Sequence, residues 1–322
     1  MYPVKFKPVP MERIWGGHAL KSMFSVDSEQ PIGEYWVVSG HPNGMSVVAD
    51  GPHAGQTLTA LTERFPEAYL GQSPQPRFPL LIKFLEAEAD LSVQIHPDDA
   101  YAQANEGDFG KTEAWYVLDA KPDGVVNYGH SFDSKASYQA AVANGHVRDY
   151  LKYQNVRAGD LVYVPARTLH ALLAGTKVLE IQQTSDVTYR VYDWDRKDEN
   201  GQGRALHVEK AADVLQYGVE HAKMTRSVLR DDEKLRQSRL ATCPYFTIDE
   251  LLVHAQVTCP LGHKGNPDVI IAVEGHGQLS CDVDGERHTL RLKPGDAVLV
   301  PGTLSDYELI PDGEMTLVRT FY

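Results

Sequence analysis

The 322-residue chain has few cysteines, no long apolar run and no secretion signal. Its three cysteines, Cys243, Cys259 and Cys281, are far apart and form no CxxC pair. A disulfide framework or a zinc–sulfur site needs closely spaced cysteines, so we expect buried thiols in a reducing compartment. The N-terminal residues lack the apolar stretch of a signal peptide, and no run approaches the ~20 apolar residues of a membrane span. These absences predict a cytoplasmic protein.

The chain also has too few basic residues to favour a polyanionic partner. It carries 31 Lys and Arg against 44 Asp and Glu, which gives a formal net charge of −13 at pH 7. Such a charge repels nucleic acids and anionic membranes, and no helix-turn-helix pattern or basic patch is present. We therefore expect a small-molecule ligand and neither a nucleic-acid nor a membrane partner. An anionic substrate would need a local basic pocket. The oligomeric state is left open.

The hydrophobic pattern predicts a mainly β fold with a few inserted helices. Short β-rich runs, such as those at 34–40, 79–87 and 177–183, alternate with glycine and proline, which is typical of a sandwich or barrel. Apolar residues at helical spacing predict helices in four places. These are 57–70, 98–107, 134–152 and 207–217.

An internal repeat divides the chain into two similar units. Residues 157–173 (RAGDLVYVPARTLHALL) align without gaps to 293–309 (KPGDAVLVPGTLSDYEL), and 113–120 resembles 268–275. The aligned Pro-x4 position is His170 in the first copy and Asp306 in the second. The first copy is longer by about the size of the helical segment near 134–152.

Gly-Asp before an apolar strand and Pro-x4-His is similar to the second motif of cupins, which are double-sheet jelly rolls that hold a metal. We therefore predict two cupin-type jelly-roll barrels. Residues 1–235 would form the metal-binding unit with its helical insertions, and 236–322 a degenerate unit without a metal site. The boundary is expected in the charged stretch 230–240.

Four residues of the first unit form a candidate metal site. Gln94 and His96 would share one face of a strand, because residues i and i+2 point the same way. Glu113 begins a second strand and His170 ends the Pro-x4-His turn. Two imidazoles, a carboxylate and an amide oxygen suit Zn²⁺, or alternatively Co, Mn, Fe or Ni. A satisfied strand pair is the competing interpretation for Gln94 and His96.

The run LEIQQTSDVTYRVYDWDR at 179–196 adds charged groups. Glu180, Asp186 and Arg190 share one parity, so they are predicted to face the same cavity unless the turn near Ser185 changes it. Buried charges are costly unless they are paired or used. One interpretation is a structural Asp186–Arg190 ion pair. The other is a set of proton-transfer or phosphate-binding groups beside the metal.

The segments FPLLIKFLEAEADLSVQIHPDDAYA, GKTEAWYVLDA, VPARTLHAL and LEIQQTSDVTYRVYDWDR closely resemble type I mannose-6-phosphate isomerases, in the short form of Bacillus-like bacteria. The resemblance runs from about residue 5 to 322 and is densest through 79–196. It implies a cytoplasmic two-cupin enzyme with one Zn²⁺ per chain. Such an enzyme interconverts mannose 6-phosphate and fructose 6-phosphate by proton transfer through a cis-enediol.

The resemblance also implies individual roles. It implies zinc ligands at Gln94, His96, Glu113 and His170. Other site positions follow in the same way, with catalytic or substrate-binding roles: Ser92, Lys111, Glu180, Asp186 and Arg190. The chain has Gly110-Lys111-Thr112-Glu113 where longer members have His-Lys-Pro-Glu, so no role of that histidine transfers.

The proton-transfer group stays open among Glu180, Asp186 and Lys111. Arg190 and Lys111 would bind phosphate or the developing oxyanion. The competing functions are a non-catalytic sugar-binding bicupin, a cupin dioxygenase and a cupin-type glucose-6-phosphate isomerase. The last two commonly bind iron with three histidines, whereas the candidate metal site of this chain contains two.

Overall fold

The computed structural model describes residues 1–197, 200–219 and 224–322, which form a mainly β protein with a few short helices. The strands up to residue 192 are β1 (Val4–Lys7), β2 (Val9–Gly17), β3 (Ile32–Ser39), β4 (Val47–Val48), β5 (Leu80–Ala87), β6 (Val93–Ile95), β7 (Glu113–Ala120), β8 (Val125–His130), β9 (Leu151–Asn155), β10 (Leu161–Val164), β11 (His170–Leu172), β12 (Thr176–Gln183) and β13 (Tyr189–Tyr192). The later strands are β14 (Ser227–Asp231), β15 (Leu235–Thr242), β16 (Thr247–Val253), β17 (Val257–Pro260), β18 (Asp268–Glu274), β19 (Gly277–Val283), β20 (Glu286–Leu292), β21 (Ala297–Val300), β22 (Asp306–Pro311) and β23 (Met315–Phe321). The helices are α1 (Lys21–Phe24), α2 (Leu58–Arg64), α3 (Pro66–Tyr69), α4 (Asp99–Asn105), α5 (Lys135–Ala143) and α6 (Val208–Val214), with 3₁₀ turns at Pro42–Gly44 and Val147–Tyr150.

The strand order of the first unit is repeated in the second. One sheet runs β10-β7-β12-β5-β3-β2, and the eight-stranded sheet contains β21-β18-β23-β16-β15-β14 in the same relative order. The smaller sheets have the orders β13-β6-β11-β8-β9 and β17-β22-β19-β20. Four strands of the first, β6-β11-β8-β9, correspond in order to the four strands of the second. The register agrees as well, because Glu113 lies opposite Val164 and Asp268 lies opposite Val300. The internal repeat expected from the sequence is therefore confirmed.

The extra length of the first unit lies in one connection, as expected. Helix α5 and the second 3₁₀ turn lie between β8 and β9, whereas β19 and β20 are joined by a tight hairpin. In that hairpin Asp284 and Gly285 both have positive φ, at 52° and 83°, as a type I′ turn requires. Ser134 caps α5 by accepting a hydrogen bond from the backbone N–H of Ser137 at 3.2 Å.

All four predicted helical segments contain helices, but the first is interrupted. Residues 57–70 form α2 and α3 rather than one helix. Pro66 follows Phe65, and proline disfavours helical backbone at the residue before it while fitting the first turn of a new helix. Thr57 is the N-cap of α2, since its side chain accepts from the backbone N–H of Ala60.

The two units share strands and a core. β1 and β4, from the N-terminal end, extend the eight-stranded sheet next to β21. A single cluster of buried apolar side chains includes Tyr35 and Phe84 from the first unit and Phe246 and Leu299 from the second. The expected boundary at residue 235 lies at the start of β15, which pairs with β14 across it. The division into two domains and the closure of each unit into a jelly-roll barrel stay predictions.

Among the described residues, no helix is both long and apolar enough to cross a membrane.

Candidate active site

Strand β6 separates a polar row from an apolar one. Val93 and Ile95 are fully buried in a core cluster, whereas Ser92 and Gln94 line a cavity of about 270 Å³. His96 follows on the polar side and is 1% exposed. The alternation expected from the sequence is therefore confirmed.

His96, Glu113 and His170 meet at one point. One ligand atom from each lies within 4.8 Å of the others. Glu113 Oε2 is 3.5 Å from His96 Nε2, and Glu113 Oε1 is 3.3 Å from His170 Nε2. The sheets explain the meeting. Glu113 begins β7, and His170 begins β11 directly opposite Gln94 on β6.

Backbone carbonyls orient both imidazoles. His96 Nδ1 lies 2.8 Å from the Val187 carbonyl oxygen and His170 Nδ1 lies 2.8 Å from that of Thr168. A carbonyl only accepts, so each Nδ1 carries the proton and each Nε2 presents a lone pair to the centre. Burial, followed by the Lys111 ammonium, holds the pKa of His96 well below its usual range, and burial lowers the pKa of His170 to about 4. Both rings are neutral at pH 7, which is the form that binds a metal.

The centre has unsatisfied buried groups that suit a metal ion. Within the described part of the chain, both oxygens of Glu113 and Nε2 of His170 have no hydrogen-bond partner. Lys111 Nζ lies 3.1 Å from Glu113 Oε2, which is ion-pair distance without hydrogen-bond geometry. Buried carboxylates and imidazoles without partners are rare and costly. A borderline cation such as Zn²⁺ takes this nitrogen and oxygen donor set.

The remaining predicted site residues line the same 270 Å³ cavity. They are Ser92, Gln94, Lys111, Glu180, Asp186 and Arg190. The structure thus brings all of the residues named from the sequence to one place.

Glu180 is a buried carboxylate held from two sides. Trp115 Nε1 donates to its Oε1 at 3.0 Å, and Lys83 Nζ lies 3.3 Å from its Oε2. Burial, with the nearby carboxylate of Glu113, raises the pKa of Glu180 above its ordinary value. A carboxyl with a raised pKa inside a cavity is a common arrangement for proton transfer.

Lys83 was not among the predicted site residues. Lys83 lines the cavity between Glu180 and Glu34. Its Nζ lies 3.5 Å from Glu34 Oε2. Burial alone would lower the pKa of Lys83, but Glu34 and Glu180 outweigh it and raise the pKa. A signal existed in the sequence, because Lys83 is the one basic residue in the apolar run PLLIKFLEA, and a buried lysine needs anionic partners.

The structure does not contain the alternative Asp186–Arg190 ion pair. Asp186 accepts a hydrogen bond from Asn43 Nδ2 at 2.9 Å, and Arg190 Nη1 donates to the carbonyl of Ala205 at 2.8 Å. Arg190 forms no ion pair within 4.0 Å in the described ranges, and its buried Nε has no hydrogen-bond partner. Burial lowers the pKa of Arg190 from its usual value.

A second arginine, also not predicted, lines the cavity beside Arg190. Arg204 Nε and Nη2 donate to the two oxygens of Asp193 at 2.8 and 2.5 Å. This bidentate contact fixes the plane of the Arg204 guanidinium. Asp193 is only 6% exposed and also contacts Arg196.

Comparison with known proteins places the chain in a family. Residues 4–126 match the family model "Phosphomannose isomerase type I, catalytic domain". The chain is 39% identical over 311 residues to a mannose-6-phosphate isomerase of Streptococcus mutans, covering 96% of this chain and 95% of the relative. The chain belongs to the type I mannose-6-phosphate isomerase family. It is also 38% identical over 316 residues to the mannose-6-phosphate isomerase ManA of Bacillus subtilis, with 95% of each covered.

The family relationship extends to the complete fold. A crystal structure of the mannose 6-phosphate isomerase from Bacillus subtilis superimposes with a TM-score of 0.90 and 36% identity. The match covers 99% of each chain.

Proposed function

We propose that this chain is a zinc-dependent mannose-6-phosphate isomerase that interconverts mannose 6-phosphate and fructose 6-phosphate. One observation carries the proposal. The His96–Glu113–His170 centre adjoins a cavity that contains both the buried carboxylate of Glu180 and the guanidinium of Arg190, which forms no ion pair in the described ranges. A carboxylate can transfer a proton next to a carbonyl, and a guanidinium can bind a phosphate.

His96, Glu113 and His170 would hold the Zn²⁺, with the Gln94 amide oxygen as a further ligand. Gln94 lies opposite His170 in the sheet, and its Oε1 is 3.4 Å from Ser92 Oγ. A Zn²⁺ ion held by these residues would supply Lewis-acid polarisation of a carbonyl group and stabilisation of negative charge on oxygen.

Arg190 and Arg204 would bind the phosphate, with Lys111 and Ser92 contributing to the substrate pocket. Among the described residues the buried Nε of Arg190 has no hydrogen-bond partner, so a phosphate oxygen would satisfy an existing donor. Arg204 is held in place by Asp193, which lowers the entropy lost when the phosphate binds. On a chain with a net charge of −13 these cations provide the local basic pocket that an anionic substrate needs.

Glu180 would transfer the proton. As a carboxylate it removes the proton from C2 of the open-chain aldose, and the electron pair of that C–H bond forms the C1–C2 double bond of the cis-enediol. The protonated Glu180 carboxyl exchanges its proton with solvent and then delivers a proton to C1, and a second proton moves between the oxygens. Lys83 and Trp115 hold Glu180 in one orientation throughout. Asp186 and Lys111 are the other candidates for this role.

The reaction can be tested in D₂O. Purified protein should convert mannose 6-phosphate to fructose 6-phosphate, and NMR should detect deuterium at C1 of the ketose. Conversion without any incorporation would contradict transfer by a carboxyl group that exchanges its proton with solvent. Conversion of glucose 6-phosphate in place of mannose 6-phosphate would favour the glucose-6-phosphate isomerase alternative.

A further inference from the structure

A second cavity of about 630 Å³ lies outside the site described above. It is bordered by β8, β9 and the turn that leads into β11, and three basic residues line it: His130, Lys152 and Arg167. No Asp or Glu is among the described residues of its lining. The cavity is therefore locally basic on a protein with a net charge of −13, and such a surface attracts anions.

The basic groups are arranged as donors. Arg167 Nε donates to the Val214 carbonyl at 2.9 Å, and its Nη1 lies 3.4 Å from Asp98 Oδ2, so the guanidinium is oriented by two contacts. Lys152 is exposed, and within the described ranges its ammonium makes no hydrogen bond or ion pair. His130 Nδ1 accepts the backbone N–H of Phe132 at 3.1 Å, which places the proton of the neutral ring on Nε2.

The backbone creates the space. The register of β8 with β9 shifts between Asn127 and His130, and Gly129 adopts a φ of +86° within this irregular stretch. A Cβ at Gly129 would meet no atom within 4 Å, so the glycine borders open space. The lining also includes Gln154, Asn155 and Gln216, the 48% exposed Tyr153, and the apolar residues Leu169 and Val219. Amides and an aromatic ring suit a hydroxylated carbon skeleton.

This cavity contacts the elements that hold the metal ligands. Arg167 has a φ of +70°, and its backbone N–H donates to the carbonyl of His96 at 2.7 Å. Tyr128, on the cavity wall, lies directly opposite His170 in the sheet. A ligand that contacts Arg167 and Tyr128 therefore touches direct neighbours of two residues of the metal centre.

We propose that the His130–Lys152–Arg167 cavity is an effector site for a phosphorylated sugar. The phosphate binds the three basic groups, the hydroxyls bind the amides, and occupancy alters affinity at the catalytic cavity through the Arg167–His96 contact. This site goes beyond the proposed catalytic function and is tested by binding alone, so its test does not depend on turnover.

Calorimetric titration of the zinc-loaded protein with a hexitol 6-phosphate, which has no carbonyl and cannot be turned over, measures the number of sites. The wild type should bind two molecules per chain, and Lys152→Met should bind one, with its basal activity unchanged. Lys7→Met is the matched control, because it removes the same charge from an exposed position on β1 and should still bind two.

Competition with inorganic phosphate distinguishes a sugar phosphate from free phosphate as the ligand of this cavity. Weaker binding of inorganic phosphate than of the hexitol phosphate at the site that is lost in Lys152→Met would support a sugar phosphate. Equal or tighter binding of inorganic phosphate there would overturn that assignment. Equal numbers of bound molecules in the wild type and in Lys152→Met, whether one or two per chain, would overturn the site itself, whereas one in the wild type and none in Lys152→Met would support it and count against binding at the catalytic cavity.

Discussion

Glu180 and Arg319 occupy equivalent positions in the two repeated units, with opposite charge. Glu180 on β12 lies opposite Lys83 on β5, and Arg319 on β23 lies opposite Asp249 on β16. On the other side, Glu180 lies opposite Trp115, the third residue of β7, and Arg319 lies opposite Ile270, the third residue of β18. The carboxylate–ammonium pair of the first unit is therefore replaced by a guanidinium–carboxylate pair in the second.

The same register shows which residues of the second unit take the positions of the proposed metal donors. The positions of Gln94, His96, Glu113 and His170 correspond to Pro260, Gly262, Asp268 and Asp306. Asp306 is exposed, whereas Asp268 is buried and accepts from the Tyr307 hydroxyl at 3.1 Å. Arg319 Nη1 lies 3.7 Å from Asp268. Arg319 thus supplies the positive charge that we propose for a metal ion in the first unit.

We expect Arg319→Met to destabilise the protein strongly. Removing the guanidinium leaves Asp268 buried without a counter-charge and leaves Asp249 with Arg239 alone, and breaking a buried pair costs about 3–5 kcal/mol. Urea unfolding measures the loss. Arg291→Met is the control, since its pair with Asp312 is exposed and should cost less than ~1 kcal/mol. Equal stabilities for the two variants would refute a structural role for Arg319.

His170→Ala should weaken zinc binding more than Gln94→Ala. An imidazole with a fixed lone pair is a stronger zinc ligand than a neutral amide oxygen, and we expect the two variants to differ at least roughly tenfold in zinc dissociation constant. Competition with a chromogenic chelator measures both constants. The reverse order would remove His170 from the proposed ligand set.

Arg190→Ala should fold and retain zinc but lose most turnover of mannose 6-phosphate. A charge-assisted hydrogen bond to phosphate contributes about 1.5–3 kcal/mol, so kcat/KM should fall about 10- to 100-fold. Slow turnover of unphosphorylated mannose is the control, because the variant should affect it little. A similar loss with both sugars would mean that Arg190 does not act through the phosphate, and near-normal activity would exclude any role.

Glu180→Gln should abolish proton transfer while leaving the zinc content unchanged. The amide keeps the size of the carboxylate but is not a base, so we expect kcat to fall by about 10²–10⁴ with a small change in KM. Asp186→Asn, measured beside it, tests the other carboxylate of the cavity. A large loss in Asp186→Asn together with an active Glu180→Gln would exchange the two assignments.

Glu34 should make stability depend on pH. Burial opposes its charge, but Lys83 and Arg13 outweigh burial and lower the pKa of Glu34 to about 2, from 4.5. A lowered carboxylate pKa stabilises the fold above the unfolded value, and this contribution is lost as the pH falls from about 5 towards 2. The shift corresponds to about 3 kcal/mol at neutral pH.

The comparison of Glu34→Gln with the wild type measures this contribution. Their difference in free energy of unfolding should be largest at pH 7 and should narrow below pH 5. Glu12→Gln, at an exposed position on β2, should match the wild type at each pH. A difference between Glu34→Gln and wild type that does not change with pH would contradict the assignment.

Local patterns were sufficient to predict part of the site. Strict alternation placed Gln94 and His96 on one face, and the Pro-x4-His motif placed His170, because both depend on neighbouring residues only. The outcome for Asp186 and Arg190 depended on the irregular backbone between β12 and β13, which parity does not describe. Lys83 and Glu34 meet Glu180 only through the pairing of β3, β5 and β12, and such long-range register is not visible in one sequence.

Removal and restoration of zinc tests the central claim most directly. The protein is treated with a chelator, its zinc content is measured, and conversion of mannose 6-phosphate to fructose 6-phosphate is followed before and after zinc is added. We expect activity to disappear with the metal and to return as one zinc per chain is bound. Undiminished activity in the metal-free protein, or full zinc binding without any isomerisation, would contradict the account.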